Sequence, residues 1–126
     1  MNNFKQHRRG KGYTTMPNEV FMDKNLSLKA VGMLCKLFSL PSSWVFSEEG
    51  LTKITKDGKT SVKSALKELE EFKYLHRERI RDEKGRLRGI TYHFYDSPFE
   101  PSIDEKGNAN YNPEVIAEGY YDWMGE

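Results

Sequence analysis

The sequence predicts an α+β domain of three helices followed by a charged β-hairpin, with a short acidic helix at the C-terminal end. Three observations carry this prediction. Two segments open with a serine flanked by a hydrophobic pair at the spacing of a helix start. A third holds apolar residues at helical spacing from Val62 to Phe72. Beyond Leu75 the period drops to two around a glycine turn, the pattern of a hairpin.

The elements follow in order. The first dozen residues, MNNFKQHRRGKG, are basic and polar and are expected to form a flexible arm. Tyr13 to Asp23 carries Tyr, Val and Phe and suits a short strand or extended segment, with Pro17 confining it to an edge. Ser27 caps the first helix, and Leu26 and Val31 staple its start. Leu28, Val31, Leu34, Cys35 and Phe38 repeat at helical spacing. Ala30, Met33 and Leu37 widen that stripe, so this helix is central to the core, and Pro41 ends it. Ser47 caps the second helix, Phe46 and Leu51 staple it, and Glu48 and Glu49 sit at the positive end of its dipole. It is short, with Leu51 and Ile54 facing inward, and Lys56 to Lys59 reads as a turn.

The third helix starts near Thr60 or Ser61 and turns Val62, Ala65, Leu66, Leu69 and Phe72 to one face. Arg77, Arg79 and Arg81 then alternate along a strand, and Asp82-Glu83-Lys84-Gly85 turns it. Ile90, Tyr92 and Phe94 alternate on the return strand. Leu75 and Ile80 differ in parity, which puts Leu75 at the helix-to-strand junction with the strand starting after it. Ser97 to Asn110 reads as a linker, and Asn112-Pro113-Glu114 reads as a helix start. In that last helix Glu114, Glu118 and Asp122 fall at i+4 steps, with Val115, Ile116, Tyr120 and Trp123 on another side. The chain shows no internal repeat. The expected organisation is an arm at 1–12, a domain at 13–98, and a linker with an acidic helix at 99–126.

Net charge conceals an asymmetry. Residues 1–95 hold 19 Lys and Arg against 11 Asp and Glu, a net of +8, whereas residues 96–126 have a net of −7. A basic body points to a polyanion partner. No apolar run approaches the roughly 20 residues of a membrane helix, so no membrane partner is expected. The basic N-terminus lacks the apolar stretch of a secretory signal, and a cytoplasmic protein is expected. Cys35 is the single cysteine and lies among Leu34, Leu37 and Phe38, the setting of a small buried hydrophobe.

Helix, short helix, tight turn, helix, hairpin is the element order of a winged helix-turn-helix. Two short helices joined by a tight turn hold the third away from the body. A helix fits the major groove of duplex DNA and reads base edges with its first turns. Here those turns offer Lys59, Thr60, Ser61, Lys63, Ser64 and Lys67: short hydroxyls that approach closely and lysines that reach phosphate or guanine. Glu68, Glu70 and Glu71 would repel phosphate, so the N-terminal half is the half expected to enter. The hairpin, or wing, offers Arg77, Arg79, Arg81, Lys84, Arg86 and Arg88 to the flanking backbone or minor groove. Lys5, Arg8, Arg9 and Lys11 would form an arm tracking the backbone.

Several motifs resemble a known family. They are Leu26-Ser27-x-Lys29-Ala30-x-Gly32, the run Gly58-Lys59-x-Ser61-Val62-x-x-Ala65-Leu66-x-Glu68-Leu69, Lys73-Tyr74-Leu75, and Arg81-Asp82-x-Lys84-Gly85-Arg86 followed by alternating aromatics. Together, over about Tyr13 to Pro98, they resemble the N-terminal winged-helix domain of replication proteins from phages and plasmids of Gram-positive bacteria. That group comprises replisome organisers and replication initiators related to DnaD-type primosome proteins. The resemblance implies binding of origin-type double-stranded DNA, often as a homodimer, followed by recruitment of replication partners.

Two other readings stand beside it. A winged helix of this kind also serves transcriptional regulators of mobile elements. The same frame can act as a protein-interaction module or phage-encoded inhibitor, with Val115, Ile116, Tyr120 and Trp123 contacting a partner or a second copy. The acidic tail could also fold onto the basic body. The sequence carries no phosphate-binding P-loop, nucleophile elbow or dinucleotide glycine motif, so neither an enzyme nor a cofactor is expected. His7, His76 and His93 come without clustered cysteines or a helical histidine pair, and no metal is expected. His76 and His93 are placed to face each other across the hairpin.

Overall fold

A computed structural model describes residues 3–7, 12–41 and 43–113 of the chain. The predicted acidic helix, with Val115, Ile116, Tyr120 and Trp123, lies outside the described residues, as do Arg8, Arg9 and Lys11. The described residues form an α+β fold. In chain order the elements are β1 (Asn3–Gln6), α1 (Asn18–Met22), α2 (Leu28–Ser39), α3 (Glu48–Lys53), α4 (Lys59–Glu71), β2 (Leu75–Arg81), β3 (Leu87–Phe94), β4 (Ser102–Ile103) and β5 (Ala109–Asn110).

The serine caps act as the sequence predicts. Ser27 Oγ accepts from the Ala30 amide at 3.1 Å, and Ser47 Oγ accepts from the Gly50 amide at 2.9 Å. Each satisfies one of the donors that a helix start leaves unpaired. Helix α2 buries Ala30, Met33, Leu34, Leu37 and Phe38. Leu28, expected in the stripe, instead points to solvent at 91 % exposure. Cys35 is only half-buried. Helix α4 buries Val62, Ala65, Leu66 and Leu69 as expected. It closes by placing Lys73 at φ 72°, so that the Tyr74 amide reaches the Leu69 carbonyl at 2.9 Å and the Lys73 amide reaches Glu70 at 3.2 Å. These two hydrogen bonds satisfy the Leu69 and Glu70 carbonyls and swing the chain from helix into strand.

Four expectations need correction. Residues 3–7 are not a flexible arm. Asn3–Gln6 pairs in parallel with β3, so the main sheet has the order β1-β3-β2. Phe4 drives this: it is buried between Trp44, Phe46 and Phe94, and burial of one phenyl ring offsets the ordering of a short strand. The segment before α2 is not a strand. Pro17 enters a five-residue helix whose second residue, Glu19, suits a helix start, and that helix buries Val20 completely. Strand β2 begins at Leu75 itself, paired with Phe94. The parity conflict disappears because Leu75 faces the helices, whereas Ile80 lies on the other face and is partly exposed.

The fourth correction concerns the linker. Ser102–Ile103 and Ala109–Asn110 form a second small hairpin. Its tip, Asp104-Glu105-Lys106-Gly107, repeats the tetrapeptide Asp82-Glu83-Lys84-Gly85 of the first, so the chain does contain a short repeat. The two tips are built alike. Asp82 Oδ1 accepts from the Lys84 and Arg86 amides, both at 2.9 Å. Asp104 Oδ1 accepts from the Lys106 and Asn108 amides at 2.9 and 2.8 Å. Gly85 and Gly107 take φ +80° and +86°, which a side chain would resist.

The core lies between the inner face of the β1-β3-β2 sheet and helices α2, α3 and α4. Phe46 is its hinge, with its ring 4.3 Å from Tyr92 and 5.7 Å from Phe94. At the back, the Tyr74 hydroxyl donates to Asp23 at 2.7 Å and ties the start of β2 to the loop before α2.

Candidate nucleic-acid interface

Helix α4 is oriented by contacts to α2. The Ser27 amide and hydroxyl both donate to the Glu68 carboxylate, the hydroxyl at 2.9 Å. Glu68 thus supplies in space the carboxylate that a capping box usually supplies from within the helix. One turn earlier, Lys29 Nζ donates to Ser64 Oγ at 2.9 Å. Ser64, although exposed, takes part in the α2–α4 contact. Lys59, Thr60, Lys63 and Lys67 are exposed, and Ser61 is half-buried. Lys59, Lys63 and Lys67 fall at i+4 steps and form one stripe along the helix.

The first hairpin grades from core to solvent. On its helix-facing side the cross-strand pairs are Leu75–Phe94, Arg77–Tyr92, Arg79–Ile90 and Arg81–Leu87. Apolar residues thus line β3 and arginines line β2 beyond the root. Arg77, expected among the contact residues, is engaged inside the fold. It is 21 % exposed, lies between Glu70 at 3.3 Å and Glu48 at 4.0 Å, and sits 5.4 Å over the Tyr92 ring. Its Nε is buried against Glu70 without hydrogen-bond alignment. Arg77 is a clamp joining α3 and α4 to the sheet. Farther out, Arg79, Arg81, Lys84, Arg86 and Arg88 are all exposed.

Asp82 organises the tip. Besides its two backbone bonds, its Oδ2 lies 3.1 Å from Arg86 Nε and 3.0 Å from Arg88 Nη2. The Arg86 and Lys84 amides and the two guanidiniums hold its carboxyl below the usual range. Its charge is thereby turned inward, and only Glu83 presents an acid at the tip's surface. A bulge at Ile80/Arg81 brings Leu87 opposite Arg81 and leaves Arg88 as the extra residue.

Sequence reasoning missed one basic surface. A cavity of about 630 Å³ opens between α2 and the α3–α4 turn, lined by Leu28, Met33 and Ile54 together with four lysines, Lys29, Lys36, Lys53 and Lys56, and one acid, Asp57. Ser61, at the start of α4, reaches into it. These lysines are scattered over the sequence, and only the packing of α2 against α4 gathers them. Lys5 of the expected arm is exposed but fixed within β1. His76 and His93 do pair across the hairpin, and His7 joins them. Among the described residues no group of three or more His, Cys, Asp or Glu side chains could hold a metal ion. Among them, too, no helix is long and apolar enough to cross a membrane.

Comparison of the chain with protein-family models, with curated proteins and with solved structures found no match.

Proposed function

We propose that this protein is a winged helix-turn-helix that binds double-stranded DNA, with α4 as the recognition helix and the β2–β3 hairpin as the wing. The replication-protein resemblance extends this reading to a phage or plasmid initiator or replisome organiser acting on origin DNA. One observation carries the DNA reading. Four acids of this surface, Glu48, Glu68, Glu70 and Asp82, are engaged in internal contacts, and the cations beside them face water. Glu68 holds Ser27, Glu70 and Glu48 hold Arg77, and Asp82 holds the hairpin tip. Lys59, Lys63 and Lys67 of α4 and Arg79 and Arg81 of β2 remain exposed. A polyanion is the ligand that such an arrangement attracts.

In this reading Thr60 and Lys63 approach base edges, and Arg79 and Arg81 contact the neighbouring phosphates or minor groove. Lys53 at the end of α3 and Lys56 in the α3–α4 turn extend the phosphate contacts on the far side. Neutralising about six phosphates gives a slope of roughly −5 when log K is plotted against log salt. A duplex titration across salt concentrations tests it. A slope near zero would remove the DNA reading and move the assignment to a protein-interaction module.

A further inference from the structure

We propose that His7, His93 and Glu78 form a proton-operated latch that holds strand β1 on the sheet and releases it as the pH falls. Four stretches of chain meet on the sheet face turned away from the helices. β1 runs into His7, β2 supplies His76 and Glu78, β3 supplies His93 with Tyr95 just beyond, and the segment after β5 supplies Tyr111. The His7 ring stacks on Tyr95 with centroids 4.9 Å apart, and the His93 ring stacks on Tyr111 at 4.2 Å. His7 Nε2 lies 3.2 Å from His93 Nδ1, and His93 Nε2 lies 2.9 Å from Glu78 Oε1.

This chain of atoms fixes the protons. A carboxylate only accepts, so His93 donates from Nε2 to Glu78. A neutral imidazole has one N–H, so His93 Nδ1 accepts and His7 Nε2 donates. Every group is satisfied with both rings neutral. One added proton keeps this hydrogen bond but places a charge in a buried site, which disfavours the closed state. A second would set N–H against N–H between two cations, and the contact breaks.

The surroundings disfavour charge on His7. The groups against His7 are Lys5 from β1, His93 from β3 and Tyr95 just beyond it, while His76 and Glu78 from β2 and Tyr111 are set around His93. Glu78, the acid of this set, is bound to His93 rather than to His7. Burial, with His93 and Lys5 adding to it, pushes His7 from 6.5 down to about 4. Burial lowers His93 as well, opposed by Glu78. A lowered folded-state value means the neutral ring is favoured on folding. The contribution is therefore complete above pH 6.5 and is lost as the pH falls toward 4. Opening would free Lys5 from its place in β1.

Hydrogen exchange of the β1 amides in the full chain tests this, with Leu66 of α4 as the internal reference. After correction for intrinsic rates, the opening constant of β1 should rise on the order of ten-fold from pH 7 to pH 5, the ideal figure being reduced for partial solvation. Leu66 should change far less. His7→Phe, which keeps the ring stack and cannot titrate at that position, should cut the pH response to the part that His93 contributes. An unchanged opening constant at pH 5, or a full response in His7→Phe, would overturn the latch. If His7→Phe fails to fold, the NMR titration of His7 in the unaltered chain decides. A midpoint below 5 supports the latch, and one at or above 6 removes it. None of these readouts involves DNA, so the latch and the DNA reading can fail separately.

Discussion

Arg77 and Arg79 stand two residues apart on one strand and are chemically the same, yet their surroundings differ: Arg77 is drawn inward and Arg79 is exposed. Replacing Arg77 with alanine removes an ion pair to Glu70 at 3.3 Å, a longer one to Glu48 and a contact over Tyr92. The pair to a partly exposed Glu70 contributes ~1 kcal/mol. The cation–π contact adds ~0.5–1 kcal/mol, and the buried stem of the arginine adds a similar amount. The total is about 2–3 kcal/mol, which lowers the melting temperature by roughly 10 °C in a domain of this size. Arg79→Ala, on an exposed stretch of hairpin, should stay within about 0.5 kcal/mol of the unaltered protein. The order reverses for DNA. Arg79→Ala should flatten the salt slope by about one, and Arg77→Ala should leave the slope unchanged at temperatures where it is folded. Thermal melts and salt-dependent fluorescence anisotropy on both variants read the two quantities independently. If Arg77→Ala flattens the slope without loss of stability, the internal clamp is wrong.

Two further predictions use other parts of the molecule. Phe4→Ala should cost about 3 kcal/mol in denaturant unfolding, because a buried phenyl ring is removed from the aromatic core. A loss below about 0.5 kcal/mol would mean that β1 is not docked in solution. Asp82→Asn keeps the acceptor for the Lys84 and Arg86 amides but removes the charge that Arg86 and Arg88 face. It should therefore tighten duplex binding and steepen the salt slope by about one, whereas Asp104→Asn at the second hairpin should change neither. Equal effects at both tips would contradict the assignment of the first hairpin as the contact element.

Much of the fold is legible in the sequence where the signal is local. Ser27 and Ser47 announce their helices because a cap acts over three residues. The apolar faces of α2 and α4 follow from period alone, save that Leu28 lies past the edge of the stripe. Long-range features are less legible. β1 has one apolar residue among polar neighbours, and its partner strand is almost a whole chain away, so nothing local marks Asn3–Gln6 as a strand. Arg77, Arg79 and Arg81 look alike because alternation records which face a residue takes, not how far it stands from the core. The partners that draw Arg77 inward, Glu48 and Glu70, come from two other elements. Ser64 was similarly claimed by Lys29 of α2. The second hairpin could have been found, since Asp-Glu-Lys-Gly occurs twice and the first copy is already read as a turn. The helix at Asn18 also left a signal in Pro17 followed by Glu19, which the nearby Val and Phe outweighed.

The most direct test of the account is an NMR titration of the protein with a short duplex at low salt. The account predicts shifts concentrated at Lys59, Thr60, Lys63, Lys67, Arg79 and Arg81, with Arg77 and the β4–β5 hairpin little affected. Shifts centred on residues 99–110, or no shifts at all, would contradict it.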